Sequence, residues 1–381
     1  MKEGWEYKKI KDIGSVIAGT TPNTNVAEYW NGNLCWISPA ELDGSHYLYD
    51  SRKKITEAAV KAKSLRLLPE GTVILSSRAP IGKVVINKIP TYCNQGFKCV
   101  VCGKEVYNEF LYWWFWGKTE YLNSLGTGAT FKEISKKVVE EILIPVPPLS
   151  EQQSIVNYLD AAFAKIDAMK ANAEKSLNEA KALFQASLKE MLEPKEGWEE
   201  KTLKEICKVI NGRAYSKDEM LKQGKYRLLR VGNFFTNDSW YYSDLELEED
   251  KYCDNGDLLY AWSASFGPRI WDGEKVIYHY HIWKMVCSSK IDKYFLCYWL
   301  DSDELKKQTM TNLHGATMAH ITKGIIEAAH VNFPPLFEQQ SIVATLDSLK
   351  SKVDRLQSNF EKISQECDAL KQALLREVFE G

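Results

Sequence analysis

The chain repeats itself. Lys2-Glu3-Gly4-Trp5-Glu6 returns as Lys195-Glu196-Gly197-Trp198-Glu199, 193 residues later. The register persists through Ile10, Ile13, Val16, Ile17 and Gly19, matched by Leu203, Ile206, Val209, Ile210 and Gly212. Gly71 and Gly82 match Gly256 and Gly267 at a separation of 185, and Gly128-Ala129-Thr130 matches Gly315-Ala316-Thr317 at 187. The strongest correspondence pairs PPLSEQQSIVNYLD (Pro147–Asp160) with PPLFEQQSIVATLD (Pro334–Asp347), identical at 11 of 14 positions. Self-similarity of this kind constrains a fold before any local reading, because each copy must build the same unit. The copies agree at their starts and in their C-terminal quarters. They disagree in the middle, where the separation shifts. One scaffold carrying two different readers fits that pattern.

Each copy begins with mixed α/β signals. Thr72–Ser76, Lys83–Ile86 and Phe97–Val101 are short β-rich runs bounded by Gly, Pro and Asn, as strands usually are. Phe110–Trp116 is aromatic-rich and predicts a buried helix. The second copy repeats the sequence of signals at Asp257–Trp262, His281–Val286 and Phe295–Leu300.

After each double proline the pattern changes. Neither Pro nor Gly occurs from Ser150 to Glu193, or from Phe337 to Phe379. Ser150 with Gln153 predicts a capping box opening the first helix. Apolar residues then recur in steps of three and four. The first segment carries Val156, Leu159, Phe163, Ile166, Ala173, Leu177, Ala180, Phe184 and Met191, interrupted by Lys170 and Ser187. The second carries Ile342, Leu346, Leu349, Val353, Leu356, Phe360, Ile363, Cys367, Leu370 and Leu374. Such a seam marks a coiled coil. The expected architecture is a mixed α/β (α+β) chain: two pseudo-repeated globular domains separated by two long helices packed as an antiparallel coiled coil. Its segments are a domain at 1–146, a helix at 147–194, a domain at 195–333 and a helix at 334–381. A helix of about 43 residues spans on the order of 65 Å. Two domains so separated would sit about two DNA turns apart, at roughly 34–36 Å per turn.

Composition narrows the class. Of 381 residues, 45% are apolar and 26% charged, which is ordinary for a globular chain. No apolar run reaches the length of a transmembrane helix, and the start Met1–Glu6 shows no secretory signal. Nine cysteines without such a signal predict free thiols and a cytoplasmic location. Cys99 and Cys102, with Cys93 and Cys35, would make half a metal site, but no second CxxC follows; buried strand thiols are the simpler reading. Net charge is −2, which argues against nonspecific coating of nucleic acid. The distribution is uneven: residues 1–145 carry net +4 and residues 195–332 net −2.

Catalytic motifs are missing. There is no GxxxxGK[ST] loop and no HExxH. Val146-Pro-Pro-Leu149 and Phe333-Pro-Pro-Leu336 lack the polar first residue and the aromatic of an amino-methyltransferase motif. Asp244–Lys251 reads as a solvated acidic loop rather than a nuclease metal cluster. His279 and His281 alternate, which would place both imidazoles on one strand face.

Other residues suit DNA. The small polar turns Gly126–Thr130 and His314–Thr317 lead into lysines, and backbone N–H groups beside hydroxyls and lysines hold phosphates. Thr127, Thr130, Lys132, His314, Thr317 and Lys323 are the residues of interest there. The loops 20–33 and 213–230 offer Thr20, Thr21, Asn23, Asn25, Arg213, Arg227 and Arg230, whose side chains suit base edges. Arg78 and His281 complete the set. No metal site is expected.

In combination these marks resemble the specificity subunit of Type I restriction–modification systems. The resemblance covers nearly the whole chain and rests chiefly on Pro147–Asp160 and Pro334–Asp347. It implies that each variable domain is a target recognition domain for half of a bipartite double-stranded DNA site. It also implies that the helices set the spacing and dock two methyltransferase subunits, with restriction/translocase subunits completing the complex. Val156, Leu159, Phe163, Ile166, Leu177, Phe184, Leu346, Val353, Leu356, Phe360, Ile363 and Leu370 are the residues expected in helix packing and partner binding. This chain would hold no cofactor and no catalytic residue; S-adenosylmethionine, ATP and Mg would belong to the partners. The alternative is a non-catalytic coiled-coil adaptor joining two ligand-binding domains.

Overall fold

The computed structural model describes residues 4–78, 80–128, 132–263, 265–310 and 321–380. These form two compact units, one from Met1–Ala173 with Glu361–Gly381 and one from Glu174–Phe360. Each contains a domain of two larger sheets and a strand pair, together with parts of two long helices, Leu149–Leu192 and Leu336–Glu380.

In the first unit, one sheet orders its strands Gly14–Ala18, Phe97–Cys102, Val73–Ser76, Val84–Asn87 and Tyr47–Leu48. In the second, Cys207–Asn211, Ile282–Cys287, Leu258–Ser263 and Ser265–Ile270 take the same order. A second sheet sits beside each. Its strand Trp30–Ile37 pairs parallel with Tyr92–Cys93 in the first unit, as Tyr226–Leu229 pairs parallel with Val276–Tyr278 in the second. The strands expected from sequence are present, and Phe110–Trp116 lies in the helix Asn108–Gly117, whose ring-bearing residues through Phe115 are buried.

The repeated motifs are a clamp between the start of each domain and the start of its helix. Gly4 and Gly197 take φ of +83° and +87°, a backbone region that favours glycine. Each is followed by a tryptophan whose indole N–H donates to the first acidic residue of the helix: Trp5 to Glu151 (2.8 Å) and Trp198 to Glu338 (3.3 Å). The next residue, Gln152 or Gln339, is fully buried. The Gln152 amide donates to the carbonyls of Glu105 (2.9 Å) and Pro147 (2.8 Å), and its oxygen accepts from Tyr107 N–H (2.8 Å). Gln339 does the same with Lys290 (3.0 Å), Pro334 (2.7 Å) and Asp292 (2.7 Å). Each buried amide therefore satisfies three backbone groups that burial would otherwise leave costly. A capping box at Ser150 is not formed. The helix begins at Leu149, the N–H groups of Glu151 and Gln152 donate to Pro148 O, and Gln152 turns into the clamp.

The helices pack antiparallel within each unit. In the first, Lys170 reaches Asp368 (3.5 Å), Lys371 pairs with Asp167, and Cys367 Sγ approaches Ile166 O (3.8 Å). In the second, Lys181 donates to Gln357 (2.8 Å). The seam does double duty. Val156, Leu159 and Phe163 join the first domain's core, and Leu346 the second's, while Ile166 and Leu177 are buried on the helix seam. Phe184, Val353, Leu356, Phe360 and Ile363 are half-buried. Leu370 departs from the heptad expectation and stands 46% exposed. Lys371 turns inward in its place, its ammonium 5.1 Å from the Phe163 ring centre, and Leu375, Val378 and Phe379 then pack on the aromatic helix. The stripe shifts because at this end the helix covers the domain as well as the first long helix.

All nine cysteines are free thiols. Cys93 and Cys99 meet in the core with sulfurs 3.4 Å apart. Among the described residues there is no cluster of three metal-ligating side chains, and no helix is long and apolar enough to cross a membrane.

Candidate nucleic-acid interface

The feature that organises both domains is a tight turn where the chain leaves one sheet for the other, at residues 94–96 and 279–281. Gly19 and Gly212 press against it. A β-carbon on Gly19 would lie 2.0 Å from Asn94 O, and one on Gly212 2.4 Å from His279 O. Only glycine permits that approach, which accounts for its recurrence.

Five backbone hydrogen bonds hold the first turn. Asn94 N–H donates to Ile37 O (2.9 Å), Phe97 to Asn94 (3.1 Å), Thr20 to Cys93 (2.8 Å), Gly19 to Phe97 (3.3 Å) and Ser77 to Gly96 (2.7 Å). The second turn has the same five. His279 N–H donates to Leu229 O (2.9 Å), Ile282 to His279 (2.9 Å), Arg213 to Tyr278 (3.1 Å), Gly212 to Ile282 (3.1 Å) and Trp262 to His281 (3.1 Å).

Around the first turn the side chains are polar. Asn94 Nδ2 donates to Thr21 Oγ1 (2.7 Å), Asn94 Oδ1 accepts from Gly96 N–H (2.7 Å), and the Thr21 hydroxyl donates to Gln95 Oε1. Asn23 Oδ1 accepts from Asn25 N–H (3.0 Å), an Asx turn that shapes the loop. Lys98, 6% exposed, reaches Ser77 Oγ (2.9 Å) and Glu133 (3.1 Å). Arg78 lies 3.8 Å from the other Glu133 oxygen, and Thr127 and Glu133 exchange backbone hydrogen bonds (3.1 and 2.9 Å). Thr21, Arg78 and Thr127, scattered in sequence, thus join one contact network through Asn94, Gln95, Lys98 and Glu133, while Thr20 bonds to the backbone of Cys93 and Asn23 and Asn25 shape the adjoining loop. Lys132 is exposed beside it.

The second turn is aromatic and imidazole-rich. His279, Tyr280 and His281 cluster with their rings tilted or edge-on to one another, centres 3.9–4.8 Å apart. They form a turn between strands rather than one strand face, because the chain must reverse to enter Ile282–Cys287. Trp262 meets His281 edge-on (5.0 Å) and donates its indole N–H to Tyr280 O (2.8 Å). Burial, then His281 and Arg230, push the His279 pKa down to about 4. Arg213 forms a two-point ion pair with Glu219 (2.7 and 3.0 Å) and lies over Tyr215; it holds the Glu219 carboxyl at a pKa of about 2. Arg230 lies over Tyr241 (5.3 Å). Arg227 pairs with Glu274 (3.1 Å) over Trp240, and Lys323 with Glu327 (3.5 Å) on its own short helix. Thr130, His314 and Thr317 lie outside the described residues.

Sequence reasoning missed Asn94, Gln95, Lys98, Glu133, Trp262 and Tyr280. The signal was available for most of them: carried forward from Gly71 and Gly82, the separation of 185 aligns Asn94-Gln95-Gly96 with His279-Tyr280-His281.

The family model described as the Type I restriction modification DNA specificity domain matches residues 2–179 and again 195–364. The chain belongs to that family. A specificity-domain relative, the Type I restriction enzyme MjaIX specificity subunit of Methanocaldococcus jannaschii, is 31% identical over 96% of this chain and 91% of its own. Among solved structures, a chain from work on complex assembly and conformational transition of the type I R-M system superposes with a TM-score of 0.82. It is 19% identical, covering 100% of this chain and 98% of that one. The HsdS subunit of Thermoanaerobacter tengcongensis superposes at 0.63, also 19% identical and with the same coverage. The fold is thus that of specificity subunits, with two recognition domains and paired long helices.

Proposed function

We propose that this chain is the DNA-reading, non-catalytic subunit of a Type I restriction–modification complex, each domain reading half of a bipartite site. The observation that carries the reading is the matched pair of turns: identical backbone frames display unrelated side chains. A protein that must recognise two different short sequences with one fold needs that arrangement, since base edges are read by side chains presented on a fixed backbone.

The helices set the gap between half-sites and dock methyltransferase subunits. Large apolar side chains stand exposed on them, including Tyr158 (51%), Met169 (59%), Leu183 (59%) and Phe337 (80%). Solvent-facing apolar residues of that size suit a partner surface. S-adenosylmethionine, ATP and Mg are bound by the partners, which also supply much of the phosphate contact that a chain of net charge −2 lacks.

The test is a methylome. The chain is co-expressed with its adjacent methyltransferase subunit in a methylation-free host and modified adenines are mapped. One bipartite motif, lost when the chain is omitted, is the expected result. A stable complex with no methylation would favour the adaptor reading. Adding or removing a heptad between Lys170 and Leu177 should change the gap and leave both half-sites intact; altered half-sites with a constant gap would refute the spacer role.

A further inference from the structure

We infer that Gln95 and Tyr280 are matched specificity-determining residues, the same position in the two reading turns, each selecting a base in its own half-site. The inference rests on the DNA-reading function proposed above and assigns it to particular side chains.

Three observations single out this position. It is the middle residue of each turn, at the common separation of 185, between the residues whose backbone groups anchor the turn. Its side chain is solvent-exposed in both domains, with Gln95 exposed and Tyr280 at 39%. Both side chains are also held in place by their neighbours, and a reader benefits from that because less freedom is lost on binding.

The holding differs, and so does the chemistry. For Gln95, a relay runs from Asn94 Nδ2 to the Thr21 hydroxyl and from that hydroxyl to Gln95 Oε1. Asn94 is itself oriented by Gly96 N–H on Oδ1. The relay fixes which end of the Gln95 amide is oxygen. Among the described residues nothing engages its NH2 group, which leaves a donor beside the remaining lone pair of Oε1 on an exposed side chain. That pair complements adenine N7 and N6 in the major groove. Tyr280 is held by its backbone N–H on Arg213 O (3.0 Å), by Trp262 on its carbonyl (2.8 Å) and by the flanking imidazoles. It presents an aromatic ring held between two imidazoles, whose apolar face and edge suit contact with a thymine methyl while its hydroxyl can donate to or accept from a neighbouring base edge.

The experiment is the methylome of the full complex carrying Gln95→Ala, Gln95→Glu, Tyr280→Ala or no substitution. Gln95→Ala should relax one adenine position in one half-site, raising methylation of sites altered there by roughly tenfold to a hundredfold relative to wild type. The isosteric Gln95→Glu should move the preference at that same position towards cytosine, whose N4 amino group a carboxylate accepts from. Tyr280→Ala should relax a thymine position in the other half-site and leave the first unchanged. Unchanged motifs in Gln95→Ala and Tyr280→Ala would overturn the inference, as would loss of specificity in both half-sites from one substitution. Abolished methylation with the complex intact would also count against it, since removing a base-selecting side chain should broaden the motif. If the unsubstituted chain directs no bipartite methylation, the specificity-subunit reading fails, and this inference falls with it.

Discussion

In the first domain, position 98 holds a lysine, buried between Ser77 and Glu133. In the second, the same place holds Trp283, stacked near-parallel with Trp262 (5.6 Å) and Tyr260 (6.0 Å). A polar cross-strand pair in one copy is an aromatic pair in the other, yet the strands and the turns they end in keep their hydrogen bonds. The lesson is that the frame is maintained by backbone groups and two glycines, while the side chains near the turn are exchangeable. The clamp at the helix start shows the opposite behaviour. There Trp and Gln recur with the same partners in both copies, because side chains themselves satisfy the buried backbone.

This contrast can be broken experimentally. The largest effect is expected at the exchanged pair. Trp283→Ala should cost the second domain about 3–5 kcal/mol by emptying a core site. Lys98→Ala should cost the first roughly 1.5–3 kcal/mol, the range for a hydrogen bond to a charged group. Denaturant unfolding monitored by hydrogen exchange in each domain would measure both, and equal losses would contradict the difference drawn here.

At the clamp the prediction is symmetry. Gln152→Ala and Gln339→Ala should each destabilise their own domain by about 2–4 kcal/mol, since each leaves three backbone groups without the amide. Domain-resolved hydrogen exchange reads this directly. A large loss on one side only would mean the two clamps are not equivalent.

A smaller effect separates the turns by pH. His279 is kept neutral in the folded chain, with a pKa of about 4, whereas the unfolded chain protonates it near 6.5. Its contribution to stability is therefore complete above about pH 6.5 and declines as pH falls towards 4. Asn94, its counterpart, does not titrate. His279→Asn should flatten the acid-side slope of second-domain stability; an unchanged slope would remove His279 as its source.

The smallest effect belongs to the helix surface. Asp368→Asn, which breaks the exposed pair with Lys170, should change stability by less than about 1 kcal/mol. A larger change in melting temperature would mean that this pair carries packing as well as charge.

The duplication, the mixed sheets and the proline-bounded helices were legible in the sequence because each leaves a local or periodic trace. Gly-Trp, Pro-Pro and Glu-Gln-Gln recur as strings, and heptads recur as steps. The site was legible only in part. Thr21, Arg78 and Thr127 could be chosen by chemistry, but nothing local says that Asn94 and Glu133 join them. That union depends on strands distant in sequence lying side by side.

The same division explains the errors. Ser150 has the composition of a helix cap, but the helix starts at Leu149, so Ser150 lies inside its first turn and Gln153, the expected partner, donates along the helix to Asn157 instead. Leu370 fits the heptad and is exposed, because the second helix ends by packing on the first domain's aromatic helix. By itself, the sequence determined that two copies of one scaffold exist and that long helices follow them, since repetition and apolar periodicity are properties of the string. Only the tertiary structure decided which side chains stand at the tip of each turn. Exposure and partnership depend on which backbones come within hydrogen-bond reach, and here glycine contacts and crossed sheets settle that across some 70 residues of intervening chain.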